Sequence, residues 1–262
     1  MKARIIGMVI IFFFALQHVS FATNKEWSDL NRLSDEILLL VQQERNEEAQ
    51  KMLKQFSDEF ARLDINSLNM SVEDLRILTI CHEQVSRSID SSSTAIEVRI
   101  QKAMQFRLLV DALQSERQPM WTEMEDSIMS VFGHMKETLE KGETEYFQEQ
   151  LHDFSTKYDM ILPSAKVDIN PEYIQRVDSH LQVLNEYEQI MGTETSQIQQ
   201  MNQMELDLRD LFTKMKEDEA DPSLIWVMIT TGSIIILTLS YVGWRKYYAD
   251  KQKPTSQREH ND

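Results

Sequence analysis

The chain has few of the residues that interrupt secondary structure and only one that can form a disulfide. Its 262 residues include 6 Gly, 5 Pro and a single Cys. One cysteine excludes an intramolecular disulfide and a Cys-x-x-Cys redox or zinc pair. Because glycine and proline are scarce, we expect few turns and long regular elements.

Positive charge is also in short supply. The chain carries 27 Lys and Arg against 43 Asp and Glu, a formal net charge of −16. A surface that holds nucleic acid needs clustered Lys and Arg against the phosphates, so we predict no nucleic-acid partner. The apolar fraction of 42% is nevertheless too high for a disordered chain.

Strand signals are weak, whereas helical periodicity is strong. The chain has no Asn-Gly or Asp-Gly hairpin turn and no sustained alternation of apolar and polar residues. Two apolar stripes with helical spacing flank a polar break at 43–48. The stripes are Trp27, Leu30, Leu33, Ile37 and Val41, and then Ala49, Met52, Leu53, Phe56, Phe60 and Leu63. This pattern predicts an all-α bundle of helical hairpins.

Helix starts and a repeat follow further along. Ser71 and Asp74 form a capping-box pattern, and the run 91–94 is predicted to end one helix and cap the next. A further helix is predicted to start at 170–172, with Pro171 at its first position. The motif Leu-x-x-Phe-Ser-x-x-aromatic occurs at 53–60 and again at 151–158. Two other positions correspond in the same order: Trp27 matches Trp121, and Ser71 matches Asn170. The three pairs are separated by 94, 98 and 99 residues along the chain. We predict an internal duplication; the alternative is chance similarity between amphipathic helices.

An apolar segment near the N-terminus has the pattern of a secretory signal. Lys2 and Arg4 precede a run of 12 uncharged residues at 5–16. Ser20 and Ala22 then provide small residues for cleavage after Ala22. We predict a signal peptide at 1–22; the alternative is an uncleaved anchor, for which the run is short.

A second apolar segment, 224–244, has 21 residues without charge, which is the length of a bilayer-spanning helix. Acidic residues precede it, and Arg245 and Lys246 follow it. Positive charge stays on the cytoplasmic side, which predicts that the C-terminus is inside. The alternative is a buried helix of a soluble core. The two segments together predict a single-pass type I protein of the cell membrane, its N-terminal domain outside the cytoplasm.

The predicted organisation has six parts. These are a signal peptide (1–22), a first helical half with a connecting helix (23–118), a second helical half (119–192), a juxtamembrane helix (193–223), a transmembrane helix (224–244) and a basic cytoplasmic tail (245–262). In the connecting helix, 95–118, cations are expected to face carboxylates of both halves. The juxtamembrane stripe is Met201, Met204, Leu208, Leu211 and Met215. That stripe either forms a homodimer or packs on its own domain.

Residues with catalytic or metal-binding potential do not assemble into a pattern. Glu149 and His152 share a helix face, but no second Glu-x-x-His exists to complete a di-iron site. Cys81 and His82 are adjacent, so their side chains point apart on a helix. His134 and His180 are isolated in the sequence. We therefore predict no catalytic residue, no cofactor and no metal, and expect that the chain is not an enzyme.

Four features make up most of the chain. They are the signal segment, the acidic helical region that opens with Trp27-Ser28-Asp29-Leu30, the motif at 53–60 and the final apolar run with its basic tail. In these features the chain resembles the YpjB-type sporulation protein family of endospore-forming bacteria. The resemblance implies a role in sporulation and a place in the cell or mother-cell membrane, without a known molecular activity.

From the residues we predict a non-catalytic membrane-anchored interaction module. It would contact lipid through the span and bind an unidentified protein partner. The alternative is a ligand- or metal-sensing membrane receptor that signals through a partner.

Overall fold

The computed structural model describes residues 21–63, 68, 70–115, 118–142, 144–186, 194–218 and 222–251. Every regular element in these ranges is helical, which confirms the predicted all-α class. The helices are α1 (Phe21–Gln42), α2 (Asn46–Phe60), α3 (Val72–Asp90), α4 (Ile96–Gln114), α5 (Glu125–Glu140), α6 (Thr144–Asp168), α7 (Pro171–Glu186), α8 (Glu194–Asp218) and α9 (Pro222–Lys251), with a 3-10 turn at Met120–Met124. Residues 1–20 of the predicted signal peptide and 252–262 of the predicted tail lie outside the described residues.

Helices α1 and α2 form the predicted hairpin. The first stripe, from Trp27 to Val41, is buried along its length, as are Ala49, Leu53 and Phe56 of the second. The chain reverses at Glu44, whose φ of 58° is left-handed. The polar break is shorter than predicted, since α2 already begins at Asn46. Glu47 and Glu48 fall in its first turn, where the helix dipole favours acidic side chains.

The predicted helix starts are confirmed at two of three places. Asp74 N donates to Ser71 Oγ at 3.0 Å, and Ser71 N donates to Asp74 Oδ2 at 2.8 Å, which completes the capping box of α3. At α7, Pro171 is the first helical residue. The expectation that the run 91–94 caps α4 is wrong, because its N-cap residue is Ala95, whose side chain accepts no bond.

Two hydrophobic cores lie within one compact unit, Met1–Met215. The first core contains buried residues from Trp27 to Val110, and the second from Leu108 to Phe212. Helix α4 contributes to both, because Phe106 and Leu109 face the first core while Leu108 and Ala112 face the second. It packs against α1, α3 and α6, which leaves it without a solvent-facing polar stripe.

The repeated sequence motif has the same local geometry in each core. The rings of Phe56 and Phe60 stack at 6.3 Å between centroids with an interplanar angle of 6°. Phe154 and Tyr158 stack at 6.1 Å with an angle of 12°. The leading leucines of the two motifs, Leu53 and Leu151, are also buried.

Four of the five residues of the predicted juxtamembrane stripe pack on their own domain, and the side chain of the fifth, Met215, lies outside the described ones. Met201, Met204, Leu208 and Leu211 of α8 are fully buried in the second core. A homodimer through this helix would therefore need a different face.

The last helix, α9, belongs to the second unit, Lys216–Asp262, and contains the predicted span 224–244. None of the helices, as far as their residues are described, combines the length and the apolarity that a membrane crossing requires. The side chains of 224–227 and of Leu237, all within the predicted span, lie outside the described ones.

Candidate functional site

A groove runs between α3 on one side and α4, α6 and α7 on the other. It consists of two cavities of about 380 and 290 Å³ that share Glu73, Ile77 and Lys166. We call these two cavities together the α3–α6 groove. Its apolar lining residues include Ile77, Ile80, Leu162, Pro163 and Ile174.

A proline within α6 shapes the groove. Pro163 lies inside the helix and has no N–H, so the carbonyl of Asp159, four residues earlier, loses its helical donor. Gln105 of α4 replaces that donor, because its Nε2 donates to Asp159 O at 2.6 Å. One turn earlier, Gln101 Nε2 donates to Thr156 O at 3.3 Å. These amides fix α6 against α4 and so set one wall of the groove.

The charged side chains that line the groove differ in how closely they are paired. Arg76 Nε donates to Glu73 Oε2 at 2.9 Å, and this bond lowers the pKa of Glu73. Burial raises the pKa of Asp159, which Lys102 and Lys166 oppose. Both lysines line the larger cavity, as Cys81 does.

Cys81 is a poor nucleophile in this setting. Its side chain is buried, and burial raises its pKa to about 11, more than the nearby Lys102 and Lys166 lower it. The sulfur therefore stays a protonated thiol at neutral pH, whereas the thiolate is the reactive and metal-binding form.

His82 lies in a separate cavity of about 140 Å³ beside Phe56 and Ser57. This agrees with the expectation that it points away from Cys81. His82 Nε2 is 3.0 Å from Ser57 Oγ and 3.1 Å from the carbonyl of Leu53. A carbonyl only accepts, so Nε2 carries the hydrogen and cannot take the proton of Ser57. The Ser–His contact thus holds α2 against α3 and does not activate a nucleophile.

The residues that sequence analysis weighed for metal binding stay apart from the groove. Glu149 lies on α6 outside it, and His152 is exposed on the same helix. Among the described residues, no group of three or more His, Cys, Asp or Glu is placed to hold a metal ion.

One polar network was missed by sequence analysis, which took His180 as isolated. His180 Nε2 lies 2.8 Å from Asp207 Oδ2, and Gln200 Nε2 lies 2.8 Å from His180 Nδ1. Arg176 Nη1 is 3.3 Å from the other oxygen of Asp207, which is buried. The network joins α7 to α8. The spacing of Arg176 and His180, one turn apart, was the only local signal, and it does not identify the partner helix.

Comparisons with known proteins agree with the helical motifs. The family model described as "Sporulation protein YpjB (SpoYpjB)" matches residues 27–256. The chain is 32% identical over 256 residues to the Bacillus subtilis (strain 168) protein named "Uncharacterized protein YpjB", which covers 97% of each chain. No solved structure is significantly similar to this chain. The resemblance predicted from the sequence is confirmed, and the chain belongs to the YpjB family of sporulation proteins.

Proposed function

We propose that this protein is a non-catalytic, membrane-anchored interaction module whose helical domain lies outside the cytoplasm and binds another protein during sporulation. The observation that carries the proposal is the α3–α6 groove, whose lining combines apolar side chains with charged ones. Fully buried apolar patches with a polar rim are the usual composition of protein interfaces. Family membership supports the link to sporulation.

The membrane anchor is proposed from the run 224–244 and from α9. The 21 uncharged residues of this run would extend about 32 Å as a helix, which matches the ~30 Å hydrocarbon core, and five of their side chains lie outside the described ones. Apolar side chains of α9 are exposed, with Ile234 at 63%, Ile236 at 66% and Leu239 at 67%. Arg245 and Lys246 at the end of the run favour a cytoplasmic C-terminus.

We also propose that the two cores arose by duplication. The matched stacking of Phe56 on Phe60 and of Phe154 on Tyr158 supports this, as does the burial of Trp27 and Trp121 at corresponding sequence positions.

A ligand-sensing receptor is the second candidate. The larger cavity of about 380 Å³ favours it, since small-molecule sites span roughly 300–1,000 Å³.

Cysteine labelling tests the proposed topology. In a Cys81→Ala background, we expect Glu97→Cys, in α4, to react with a membrane-impermeant maleimide on protoplasts from sporulating cells. Thr255→Cys, in the tail, should react only after the membrane is permeabilised, and the full-length chain should sediment with membranes. Equal labelling at both positions, or full-length protein in the high-speed supernatant without detergent, would contradict the proposal.

A further inference from the structure

We propose that the α3–α6 groove binds a segment of a partner protein in which a carboxylate side chain is flanked by apolar residues, with that carboxylate held between Lys102 and Lys166. This inference rests on the proposed interaction function and adds the chemistry of the partner.

The larger cavity has a local excess of positive charge. It is lined by three cations, Arg76, Lys102 and Lys166, and by two carboxylates, Glu73 and Asp159. The whole chain, in contrast, has a net charge of −16. A cationic spot attracts an anionic group on a partner.

Lys102 and Lys166 are the cations available for such a group. Arg76 is already held by Glu73 through two hydrogen bonds. Among the described residues, neither lysine lies within 4.0 Å of a carboxylate oxygen. Within the described part of the chain, Lys102 donates to the neutral side chain of Gln105, at 3.3 Å, and to no other side chain. Both lysines line the larger cavity, together with Asp159 and Cys81.

The dimensions of the groove favour a peptide segment. Along α3 its lining extends from Glu73 to Gln84, which corresponds to about 16 Å at 1.5 Å per residue. An extended chain of roughly five residues covers this length. Ile77, Ile80 and Leu162 offer apolar contacts beside the two lysines, and Ile80 is 40% exposed.

Photo-crosslinking of the full-length protein in sporulating cells tests the inference. With benzoylphenylalanine in place of Ile80, we expect a covalent adduct with one protein, mapped by mass spectrometry to a segment that contains Asp or Glu beside apolar residues. The double variant K102E/K166E should reduce the adduct about tenfold or more. An Asp or Glu to Lys change in the mapped segment should restore it.

The control variant is K51E/K54E, which makes the same charge change on exposed lysines of α2 outside the groove. It should leave the adduct yield unchanged. Circular dichroism of both variants in detergent checks that the helices remain folded.

Several outcomes would overturn the inference. The first is an adduct whose yield K102E/K166E does not reduce. The second is an adduct that maps to a segment without a carboxylate or to a second copy of this chain. The third is an adduct with a lipid or small molecule only. A second probe at Leu206, which is 57% exposed on α8 and outside the groove, distinguishes binding at the groove from the broader interaction function. Protein adducts at Leu206 with none at Ile80 would refute the groove and leave the interaction function. Adducts at neither position would refute both.

Discussion

Among the described carboxylic acids, Asp168 at the end of α6 is the one whose pKa the fold raises most. Its pKa is raised to about 7, chiefly by burial; the hydrogen bond from Trp121 opposes this rise, and the charges of Asp111 and Asp74 add to it. Trp121 Nε1 donates to Asp168 Oδ2 at 2.7 Å. The side chain thus joins α6 to the 3-10 turn that opens the second half.

This pKa predicts a pH-dependent contribution to stability. The folded pKa lies above the unfolded value of ~3.9, so the folded state holds more protons between these pH values. The contribution of Asp168 is full below about pH 4 and is lost as the pH rises toward 7. Asp168→Asn can still accept from Trp121 and does not titrate. We expect its unfolding free energy, relative to that of wild type, to be ~1–2 kcal/mol higher at pH 8 than at pH 5, because only wild type loses stability over this range.

Urea denaturation at the two pH values, followed by far-UV circular dichroism, measures this difference. The matched control is Asp153→Asn, an exposed carboxyl on the same helix, whose difference from wild type should not change with pH. A difference for Asp168→Asn that is the same at both pH values would contradict the assignment.

At the scale of single helices, the N-termini of α3 and α4 can be compared directly, because only the first has a side-chain cap. Ser71 caps α3 with its side chain, whereas Ala95 has the extended backbone of an N-cap, with φ −60° and ψ 149°, and no acceptor. We expect Ser71→Ala to lower the unfolding free energy by ~1 kcal/mol, and Ala95→Ser to raise it by ~0.5–1 kcal/mol.

Chemical denaturation of the three proteins measures both changes. Ser28→Ala, at an exposed position of α1, serves as a control and should stay within about 0.5 kcal/mol of wild type. Equal effects of Ser71→Ala and Ser28→Ala would show that the cap contributes little.

Helix α6 depends on α4 for one of its backbone bonds. Removing the Gln105 amide leaves the carbonyl of Asp159 without a donor, so we expect Gln105→Leu to lower the unfolding free energy by ~1–3 kcal/mol. In a Pro163→Ala background, the new N–H at 163 can bond this carbonyl, and the loss should be smaller. A double-mutant cycle on urea denaturation measures the coupling.

Gln101→Leu is the control for this cycle. Gln101 donates to Thr156 O, a carbonyl with no proline four residues later, so its removal should not couple to Pro163→Ala. Additive effects of Gln105→Leu and Pro163→Ala would contradict the proposed backbone repair.

At the scale of the molecule, α4 joins the two cores. Because its residues pack into both, neither core can lose α4 and remain closed. We therefore expect residues 23–118 and 119–192 to unfold together, although the sequence shows them as two halves. Hydrogen–deuterium exchange in increasing urea should give coincident midpoints for peptides from α2 and from α6. Clearly separate midpoints would show two independent folding units.

The local features of the fold followed from the sequence. The stripe from Trp27 to Val41, the Ser71 capping box and the Pro171 helix start depend on residues within one or two turns of each other. Spacing along the chain therefore suffices to predict them. The cap of α4 was predicted wrongly because Thr94 N instead bonds Ser91 O, which closes a turn before Ala95.

The groove and its supporting contacts could not be predicted in this way. Gln105 and Asp159 are 54 residues apart, and His180 and Asp207 are 27 apart. Their pairing depends on which helix faces which, and an amphipathic stripe does not specify its partner. Lys102 and Lys166 were visible as cations, but only packing placed them on one groove.

The sequence by itself determined the helical class, the family, the apolar runs and most helix starts, because each depends on composition, periodicity or short-range bonding. The tertiary structure alone decided that α4 belongs to both cores, that the α8 stripe faces inward, and that α3 and α6 leave a groove between them. These are outcomes of long-range packing, where many apolar faces compete for partners and the best-filled arrangement is the stable one.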